Sequence, residues 1–600
     1  MEGGCRMVFG KHVNRYYLKF ALPLLGGILA LFLVDYLQLL IPAFYRTVIN
    51  GINDGFVVSE TGERVLFDMD YLVREICMPM VGVILALVLG RFAWRICLLS
   101  SAVGVETDMR LRMFARAKDL SHEYYQKNKV GDLMSLFTND LDTIQECFGW
   151  GFLHFFDAAM LGTMAILKMW RMDHLLTGLS LIPMLFLFLS STVIGRYMMK
   201  KWDHRQAVFS KLSDASQESF SGIAVIKAFV KEAHELLCFR RLNRENEDAN
   251  VDFTRSSVLL RILVTLFVDS VMCVILGYGG YLVYNGAFNA GQLIEFIGYF
   301  TTIIWPITAV SELIDMTSRG RASVKRVSLL LDAEITVRDR TDVSPLPLPV
   351  RGEIEMRHLS FSYPDAASEV LRDVSFTIRA GERVGIIGRT GCGKTTLVDL
   401  ILRTYNVADG TLFIDGVDVN TIPMREVRAA CAYVPQDNFL FSDTIASNVA
   451  FFDTACAREV VEEAARLAHV DHNIREFADG YDTVLGERGV TVSGGQKQRI
   501  SIARALVKDA PILILDDSVS AVDTATEKII LENLASVREG KTTILVAHRV
   551  STIRDMDKIL YLEDGRLLAV GTHDELYRDC AAYRKTVELQ RLEDEQGEVS

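Results

Sequence analysis

Hydrophobic residues in the first 320 positions gather into six long apolar stretches. Each holds close to the ~20 residues that a membrane-spanning helix needs, although the last is short without its flanks. The fourth stretch contains no Asp, Glu, Lys or Arg, which argues against a soluble helical bundle. The predicted spans are Phe20–Tyr45, Cys77–Val103, Cys147–Met169, His174–Gly195, Ile262–Tyr284 and Phe296–Ser311. The pattern therefore predicts a six-helix transmembrane domain over residues 1–330.

Charges on either side of the first span predict its orientation. Four basic residues precede this span, whereas the segment 50–75 after it carries six acidic and two basic residues. Basic flanks stay on the cytoplasmic side, so the N-terminus is predicted inside and the acidic segment outside. The polar intervals Glu106–Glu146 and Arg196–Arg261 then also lie inside, and helices of that length extend well beyond the bilayer. Within them, Tyr124–Asp132 and Gln217–Gly222 are predicted as docking turns for a soluble domain, with solvated helix ends as the alternative.

Several charged residues fall within or beside the apolar stretches. Charges at that depth are costly in lipid, so the helices that carry them are expected to face one another or a wet cavity. Contact with a substrate and packing between helices are both open interpretations for Asp35 and Asp269. The charged residues concerned are Asp35, Arg91, Arg95, Asp157, Lys168 and Asp269.

The second half of the chain changes to the pattern of a soluble α/β domain. Residues 331–351 form the predicted linker, in which the prolines of Ser344–Pro349 favour an extended chain. Glu353–Phe361 alternates like a strand, and Arg383–Ile387 is an apolar run suited to a buried parallel strand. Thr396–Leu402 then reads as an amphipathic helix.

Between that strand and that helix lies a glycine-rich segment that fits the phosphate-binding loop G-x-x-x-x-G-K-[ST]. Its glycines let backbone N–H groups close on phosphates at a helix N-terminus. Lys394 is predicted to reach the outer phosphates, and Thr395 to ligate Mg²⁺. The predicted nucleotide-binding residues of the loop are Gly388, Thr390, Gly391, Cys392, Gly393, Lys394, Thr395 and Thr396.

Composition excludes some classes of function. Half of the 600 residues are hydrophobic, which agrees with a membrane protein, and the net charge of −12 offers no footprint for nucleic acid. The ten cysteines show no CxxC pair and no metal-ligand spacing, so reduced thiols are expected.

Further motifs follow the phosphate loop in a fixed order. Tyr433-Val434-Pro435-Gln436 comes first, then Val492–Arg499 with the sequence Ser-Gly-Gly-Gln, and then an apolar strand that ends in Asp516-Asp517. Ser520–Asp523 and Val546–Arg549 complete the series. This order and spacing resemble the ATP-binding cassette (ABC) exporters over nearly the whole chain. The resemblance implies a cassette domain over residues 352–585, followed by a charged tail over 586–600.

The resemblance also implies roles for individual residues. Tyr363 would stack on the adenine of ATP, Gln436 and Asp516 would ligate Mg²⁺, and His548 would contact the γ-phosphate. The signature would close over ATP held by the opposite subunit, so the active unit is expected to be a dimer; its residues are Ser493, Gly494, Gly495 and Gln496. Asp523 matches the loop that links the two sites, and Glu487-Arg488-Gly489 resembles a segment that contacts the membrane domain's extensions.

One position departs from the family pattern. The catalytic base that follows the Mg²⁺-binding aspartate is usually glutamate, but here it is Asp517. The Asp517 side chain has one methylene fewer than glutamate, which moves its carboxylate by about an ångström. A general base must lie within ~2.6–3.2 Å of the proton that it accepts, so slow hydrolysis is expected at this chain's own site. Val492 replaces a usual leucine, a mild change. We expect a heterodimer whose related partner supplies the glutamate, with a slow homodimer as the alternative.

The sequence thus predicts an ATPase that exports amphipathic small molecules, drugs or lipids, across the plasma membrane. The N-terminus, C-terminus and cassette are expected in the cytoplasm. The expected partners are a second half-transporter subunit, the lipid bilayer and the substrate, without nucleic acid. A regulatory nucleotide-binding subunit of a membrane complex and a homodimeric lipid or peptide exporter are the alternatives.

Overall fold

The computed structural model describes residues 10–58, 64–364, 366, 368–486, 489 and 492–597. The chain divides into two compact units. The first runs to Ala117 and resumes over Gly131–Asp332, whereas the second comprises Lys118–Val130 and the chain from Ala333 onward. A short piece of the first half of the sequence therefore belongs to the second unit.

Long helices build the first unit, because its apolar stretches continue as helix into the polar intervals, and the helices persist through the internal prolines Pro183 and Pro306. The helices of this half of the chain, with α6 in the second unit, are α1 (Asn14–Lys19), α2 (Ala21–Gln38), α3 (Ile41–Asp54), α4 (Met69–Tyr71), α5 (Met78–Asp119), α6 (His122–Lys127), α7 (Val130–Ser135), α8 (Leu141–Glu146), α9 (Phe152–Met172), α10 (His174–Ser221), α11 (Ile223–Ala228), α12 (Glu232–Tyr284) and α13 (Ala290–Asp332). Wider π-helical turns at Leu72–Cys77, Leu136–Asp140 and Cys147–Gly151 join some of them. A hairpin, β1 (Phe56–Val58) and β2 (Arg64–Leu66), lies in the acidic segment.

Five helical segments of the described chain are long and apolar enough to cross a membrane. Helix α10, which holds the predicted fourth span, contributes only the shorter apolar segment His174–Pro183 among the described residues. The fourth predicted span, and with it the count of six, therefore stays a prediction. The five segments are Ala21–Asp54, Met69–Asp119, Val130–Met172, Glu232–Tyr284 and Ala290–Asp332.

The two predicted docking turns have different structures. The first is a short helix, α6, which ends at Lys127 and belongs to the second unit. The second prediction is wrong for residues 217–221, because α10 continues through Ser221, and the bend comes at Gly222, the last residue of the predicted turn. Helix α11 follows this bend, and Phe220 and Phe229 at its two ends are exposed.

Two sheets form the centre of the second unit. The strands are β3 (Ile354–Phe361), β4 (Leu371–Ile378), β5 (Arg383–Gly388), β6 (Leu412–Ile414), β7 (Val417–Asp418), β8 (Cys431–Val434), β9 (Ile512–Asp516), β10 (Thr542–Val546), β11 (Lys558–Glu563) and β12 (Arg566–Gly571). Strands β4-β3-β6-β7 make an antiparallel sheet. The other sheet has the order β12-β11-β5-β10-β9-β8, and all its neighbours are parallel except β12.

Helices cover these sheets and bury two apolar clusters. They are α14 (Lys394–Ile401), α15 (Met424–Ala430), α16 (Ile445–Val449), α17 (Arg458–Leu467), α18 (Asp471–Arg475), α19 (Gly494–Val507), α20 (Thr524–Val537), α21 (Val550–Ile553), α22 (His573–Asp579) and α23 (Ala581–Gly597). The segment predicted as a charged tail from residue 586 is helical through Gly597, since Val587 packs against the core.

The parallel register brings four strand ends to one edge of the larger sheet. Ile386 of β5 pairs with Val546 of β10, and Val546 pairs with Asp516 of β9. Leu515 of β9 in turn pairs with Val434 of β8. Segments that leave parallel strands at one edge lie side by side, which is where α/β sheets form ligand sites.

Candidate functional site

The glycine-rich loop joins the end of β5 to the start of α14. Gly391 has a φ of +82° and Gly393 a φ of +102°, a left-handed backbone that favours glycine. A Cβ atom at Gly393 would also lie 2.7 Å from Leu371 Cδ2. The loop therefore needs glycine at this position for both its backbone and its packing.

Lys394 is the first residue of α14 and is almost fully buried. Its Nζ donates hydrogen bonds to the carbonyl oxygens of Gly388 at 2.8 Å and Arg389 at 3.1 Å. Both acceptors belong to the loop, so the ammonium group lies inside the curve of the loop. Cys392 beside it is buried, and burial raises the pKa of its thiol. Thr390 of the loop is exposed, whereas Thr396 is buried within α14.

Asp516 has the surroundings of a metal ligand. It is 1% exposed at the end of β9, its Oδ2 atom has no hydrogen-bond partner, and the Thr395 hydroxyl bonds its carboxylate. Burial raises its pKa, and Asp517 adds to this, while Lys394 and His548 act in the opposite direction. Burial and the charge of Asp516 raise the pKa of Asp399 to about 6. An orphaned buried carboxylate oxygen beside a hydroxyl fits Mg²⁺, which prefers oxygen ligands.

Asp517 has a left-handed backbone, with a φ of +46°. Its N–H donates to the Val546 carbonyl at 3.0 Å, and its own carbonyl accepts from Ser520 Oγ at 2.9 Å. Aspartate tolerates this conformation better than most residues with a Cβ. The contacts fix the backbone from which the candidate base projects.

Gln436 and His548 follow β8 and β10, the two strands that flank β9, at the same edge of the sheet. Gln436 is exposed two residues beyond β8, and the half-buried His548 lies two residues beyond β10. Gln590 of α23 holds the segment after β10, because its Nε2 donates to the His548 carbonyl at 2.7 Å and its Oε1 accepts from Val550 N–H at 2.8 Å. No motif in the sequence indicates this role for Gln590, which lies in the predicted tail.

The Ser-Gly-Gly-Gln segment starts α19 with a reciprocal cap. The Ser493 hydroxyl accepts from Gln496 N–H, and Gln496 Oε1 accepts from Ser493 N–H. Ser493 and Gly494 are exposed, and a Cβ atom at Gly494 would meet open space. At Gly495 a Cβ atom would lie 2.9 Å from the Ala521 carbonyl, so this position needs glycine. The N-terminus of α19 is thus exposed and capped, as the predicted anion site requires.

Gln498 links this helix to the candidate base, a role that sequence reasoning did not assign. It is buried, and its Nε2 lies 3.4 Å from the Asp517 carbonyl oxygen. Its Oε1 accepts from Ala521 N–H at 3.0 Å. Two residues beyond Ala521, Asp523 caps α20 by accepting from Thr526 N–H, a bond that lowers the pKa of Asp523. The signature helix and the segment after β9 are therefore held together.

Tyr363 belongs to a cluster of three aromatic rings. Its ring centroid lies 5.2 Å from those of Phe361 and Tyr405, both nearly edge-on. Its hydroxyl shares a hydrogen bond with Thr396 Oγ1 at 2.9 Å, so the ring lies beside the phosphate loop.

Tyr405 extends this cluster to α6 and was not found from the sequence. Its hydroxyl donates to Gln126 Oε1 at 2.8 Å, and the His122 ring lies edge-on at 6.4 Å. Burial raises the pKa of Tyr405 to about 12, so it stays a neutral donor. The predicted docking turn is therefore joined to the candidate adenine site through one side chain. Of the other predicted contact segment, Glu487 and Arg488 lie outside the described residues.

Comparisons with known proteins agree with both halves of the chain. Residues 24–307 match the family model "ABC transporter transmembrane region", and residues 371–520 match the model "ABC transporter". A solved bacterial Atm1-family ABC exporter with ATP bound is similar over 96% of this chain and 99% of its own, at a TM-score of 0.75 and 26% identity.

Similar proteins of full length include several bacterial exporters. A probable multidrug resistance ABC transporter of Bacillus subtilis, YheI, is 36% identical over 84% of this chain and 86% of its own. Escherichia coli MdlA, described as multidrug resistance-like, is 32% identical over 95% of this chain and 94% of its own. The ATP-dependent lipid A-core flippase of Syntrophus aciditrophicus is 34% identical over 87% of this chain and 86% of its own. The chain therefore belongs to the ABC transporter family and carries the family's transmembrane region and ATPase domain in one polypeptide.

Proposed function

We propose that this chain is one half of a dimeric exporter that uses ATP to move amphipathic small molecules out across the plasma membrane. Its own phosphate loop is paired with Asp517 and turns over slowly, and a related partner supplies a catalytic glutamate. The multidrug and lipid-flippase names of its relatives support this substrate class. Both termini and the cassette lie in the cytoplasm.

The placement of the signature carries the dimer proposal. Ser493 and Gly494 are exposed at the N-terminus of α19, and no hydrogen bond or ion pair joins them to the phosphate loop within the described chain. The N-terminus of α19 offers an anion site that, among the residues that the structure describes, has no such contact with this subunit's own phosphate loop. ATP bound to the phosphate loop of a second subunit completes this site. Each subunit thus contributes a phosphate loop to one site and a signature to the other.

The second unit's own residues then perform the remaining tasks. Lys394 exchanges its loop carbonyls for the outer phosphates, and Tyr363 packs against the adenine. Thr395, Gln436 and Asp516 would hold Mg²⁺, which supplies charge neutralisation at the phosphates when bound. Asp517 orients the attacking water imperfectly, because its carboxylate is too short. His548 donates toward the γ-phosphate.

Nucleotide occupancy reaches the membrane domain through α6. When Tyr363 closes on the adenine, its ring moves relative to the ring of Tyr405, against which it packs. Tyr405 in turn bonds Gln126 of α6. Helix α6 is continuous in sequence with α5, which spans the membrane. Such a chain of contacts lets ATP binding bias the membrane helices between two arrangements.

Exposed apolar surfaces are consistent with a second subunit. At the bend after α10, the side chains of Phe220 and Phe229 are exposed, by 75% and 71%. On the second unit, Phe441 and Phe451 stack at 4.8 Å and are both exposed. Large apolar groups at such positions mark interaction sites.

Replacing Tyr405 by phenylalanine is expected to weaken coupling while sparing ATP binding. The ring and its packing remain, but the bond to Gln126 is lost, which costs about 1 kcal/mol. Transport per ATP hydrolysed should fall about fivefold, whereas ATP affinity should stay within about twofold. Gln126→Ala should reproduce the loss, and equal loss of ATP binding would contradict a coupling role.

Transport in inside-out vesicles tests the proposed function. Vesicles with this chain and a partner that carries glutamate should accumulate an amphipathic dye when ATP is added. Lys394→Ala in this chain should abolish ATP binding at its own site and reduce accumulation. Export would be contradicted if the dye did not accumulate on addition of ATP with any candidate partner.

A further inference from the structure

A cavity of about 380 Å³ lies within the first unit, among α2, α5, α9 and α13. Asp157, on its wall, lies 15 residues before the end of α9 at Met172, which is about 22 Å along the helix axis. The cavity is therefore well inside the predicted bilayer. Unlike most surfaces at that depth, it is lined by both acidic and basic side chains.

The two acidic side chains of the cavity are buried, and one oxygen of Asp35 lacks a hydrogen-bond partner. Asp35 is 1% exposed, its carboxyl group faces that of Asp157, and its Oδ2 atom has no hydrogen-bond donor. Asp157 accepts a hydrogen bond from Trp305 Nε1 at 2.5 Å. Two neighbouring carboxyl groups in a low dielectric need a proton or a cation between them, because an unpaired buried charge is costly.

The basic side chains of the cavity do not supply that cation. Arg91 donates to Gln38 Oε1 at 3.4 Å, and the Arg95 guanidinium lies 5.4 Å from the centre of the Trp94 ring. Neither forms an ion pair with Asp35 or Asp157 within the described residues. Both arginines are exposed, whereas both aspartates are buried.

Tryptophan rings supply the rest of the wall. Trp94, Trp150 and Trp305 all line the cavity. Such rings offer apolar area and a negative face that attracts organic cations. A positively charged N–H donor attached to an apolar body would fit both the carboxyl pair and the rings.

We propose that this cavity binds the protonated amine of an amphipathic substrate, with its N–H groups on Asp35 and Asp157 and its apolar body on the tryptophan rings. The inference rests on the proposed export function and names its substrate class. Sequence reasoning grouped Asp35 with Asp269, but Asp269 lies exposed on α12 and does not line this cavity. Asp269 therefore provides a matched control.

Tryptophan fluorescence tests the proposal, because three of the chain's five tryptophans line the cavity. The full chain in lipid nanodiscs is titrated with 11-bromoundecylamine and with 11-bromoundecanol, an uncharged probe of the same length, since bromine quenches only rings that it contacts. The amine should quench saturably and more tightly than the alcohol. Asp35→Asn and Asp157→Asn should each weaken amine binding about tenfold or more, the worth of a charge-assisted hydrogen bond.

Control variants keep the proposal open to contradiction. Asp269→Asn should leave amine affinity within about twofold, and Arg91→Gln should leave it equal or tighter. Equal binding of alcohol and amine would overturn the proposal, as would a loss with Arg91→Gln and none with the aspartate variants. ATP binding checks the fold of each variant. If Asp35→Asn fails to fold, Asp157→Asn decides the result. The conservative variant Asp157→Glu is expected to retain amine binding.

The assay separates this inference from the proposed function, because it needs neither ATP nor a partner. Saturable, aspartate-dependent amine binding without any transport would contradict export and leave the site standing. Transport of amines that is unaffected by Asp35→Asn and Asp157→Asn would contradict the site and leave export standing.

Discussion

Asp517→Glu raises the Mg²⁺-dependent ATP turnover of this chain about 10- to 100-fold when the chain is reconstituted alone in lipid. The added methylene moves the carboxylate about an ångström toward the attacking water, and a well-placed general base contributes about 10²- to 10⁴-fold. The backbone contacts of Asp517 with Val546 and Ser520 do not involve its side chain, so they remain. Turnover per bound ATP is the quantity to measure.

Two controls accompany this variant. Asp517→Asn removes the carboxylate and should bring turnover to background, while ATP still binds. The left-handed φ of +46° is less favourable for glutamate than for aspartate, so the unfolding temperature of Asp517→Glu should fall slightly. Unchanged turnover in a folded, ATP-binding Asp517→Glu protein would show that the length of this side chain does not limit hydrolysis.

Asp516→Asn is expected to abolish the dependence of nucleotide binding and hydrolysis on Mg²⁺. The Asp516 Oδ2 atom has no partner in the described chain, and an amide there is a weak ligand for a hard cation. Turnover should drop at least ~100-fold in the Asp517→Glu background, where the starting rate is measurable. ATP affinity in EDTA should change by less than about threefold, because Lys394 still binds the phosphates.

Asp399→Asn is the matched control for that experiment. Asp399 is a neighbouring carboxyl whose pKa is raised to about 6 by burial and by Asp516, but it lies within α14, away from the strand ends. Its replacement should leave the Mg²⁺ dependence intact. A loss at Asp399 equal to that at Asp516, or none at Asp516, would contradict the assignment of the metal ligand.

Local sequence patterns predicted the elements that carry these residues. The run Arg383–Ile387 is the core of β5, and the expected helix after the glycine loop is α14, which begins two residues earlier, at Lys394. The glycines and the apolar strand residues act through short-range sterics and burial, so their pattern is readable along the chain.

Side chains that act through tertiary contacts were not predictable in this way. Tyr405 bonds Gln126 across 279 positions, and Gln590 bonds the His548 carbonyl across 42. Nothing in the local pattern around these residues distinguishes them from ordinary surface side chains. The same holds in the membrane, where Asp35 and Asp269 look alike in sequence but only Asp35 is buried in a cavity.

The Mg²⁺-ATPase rate of the unmodified chain, purified alone in lipid, tests the central claim most directly, with ATP binding measured as the check on folding. The account predicts that ATP binds and that turnover is negligible until a partner with a catalytic glutamate is added. Turnover by the chain alone at the rate of its Asp517→Glu variant would contradict the account and make this protein a competent homodimer.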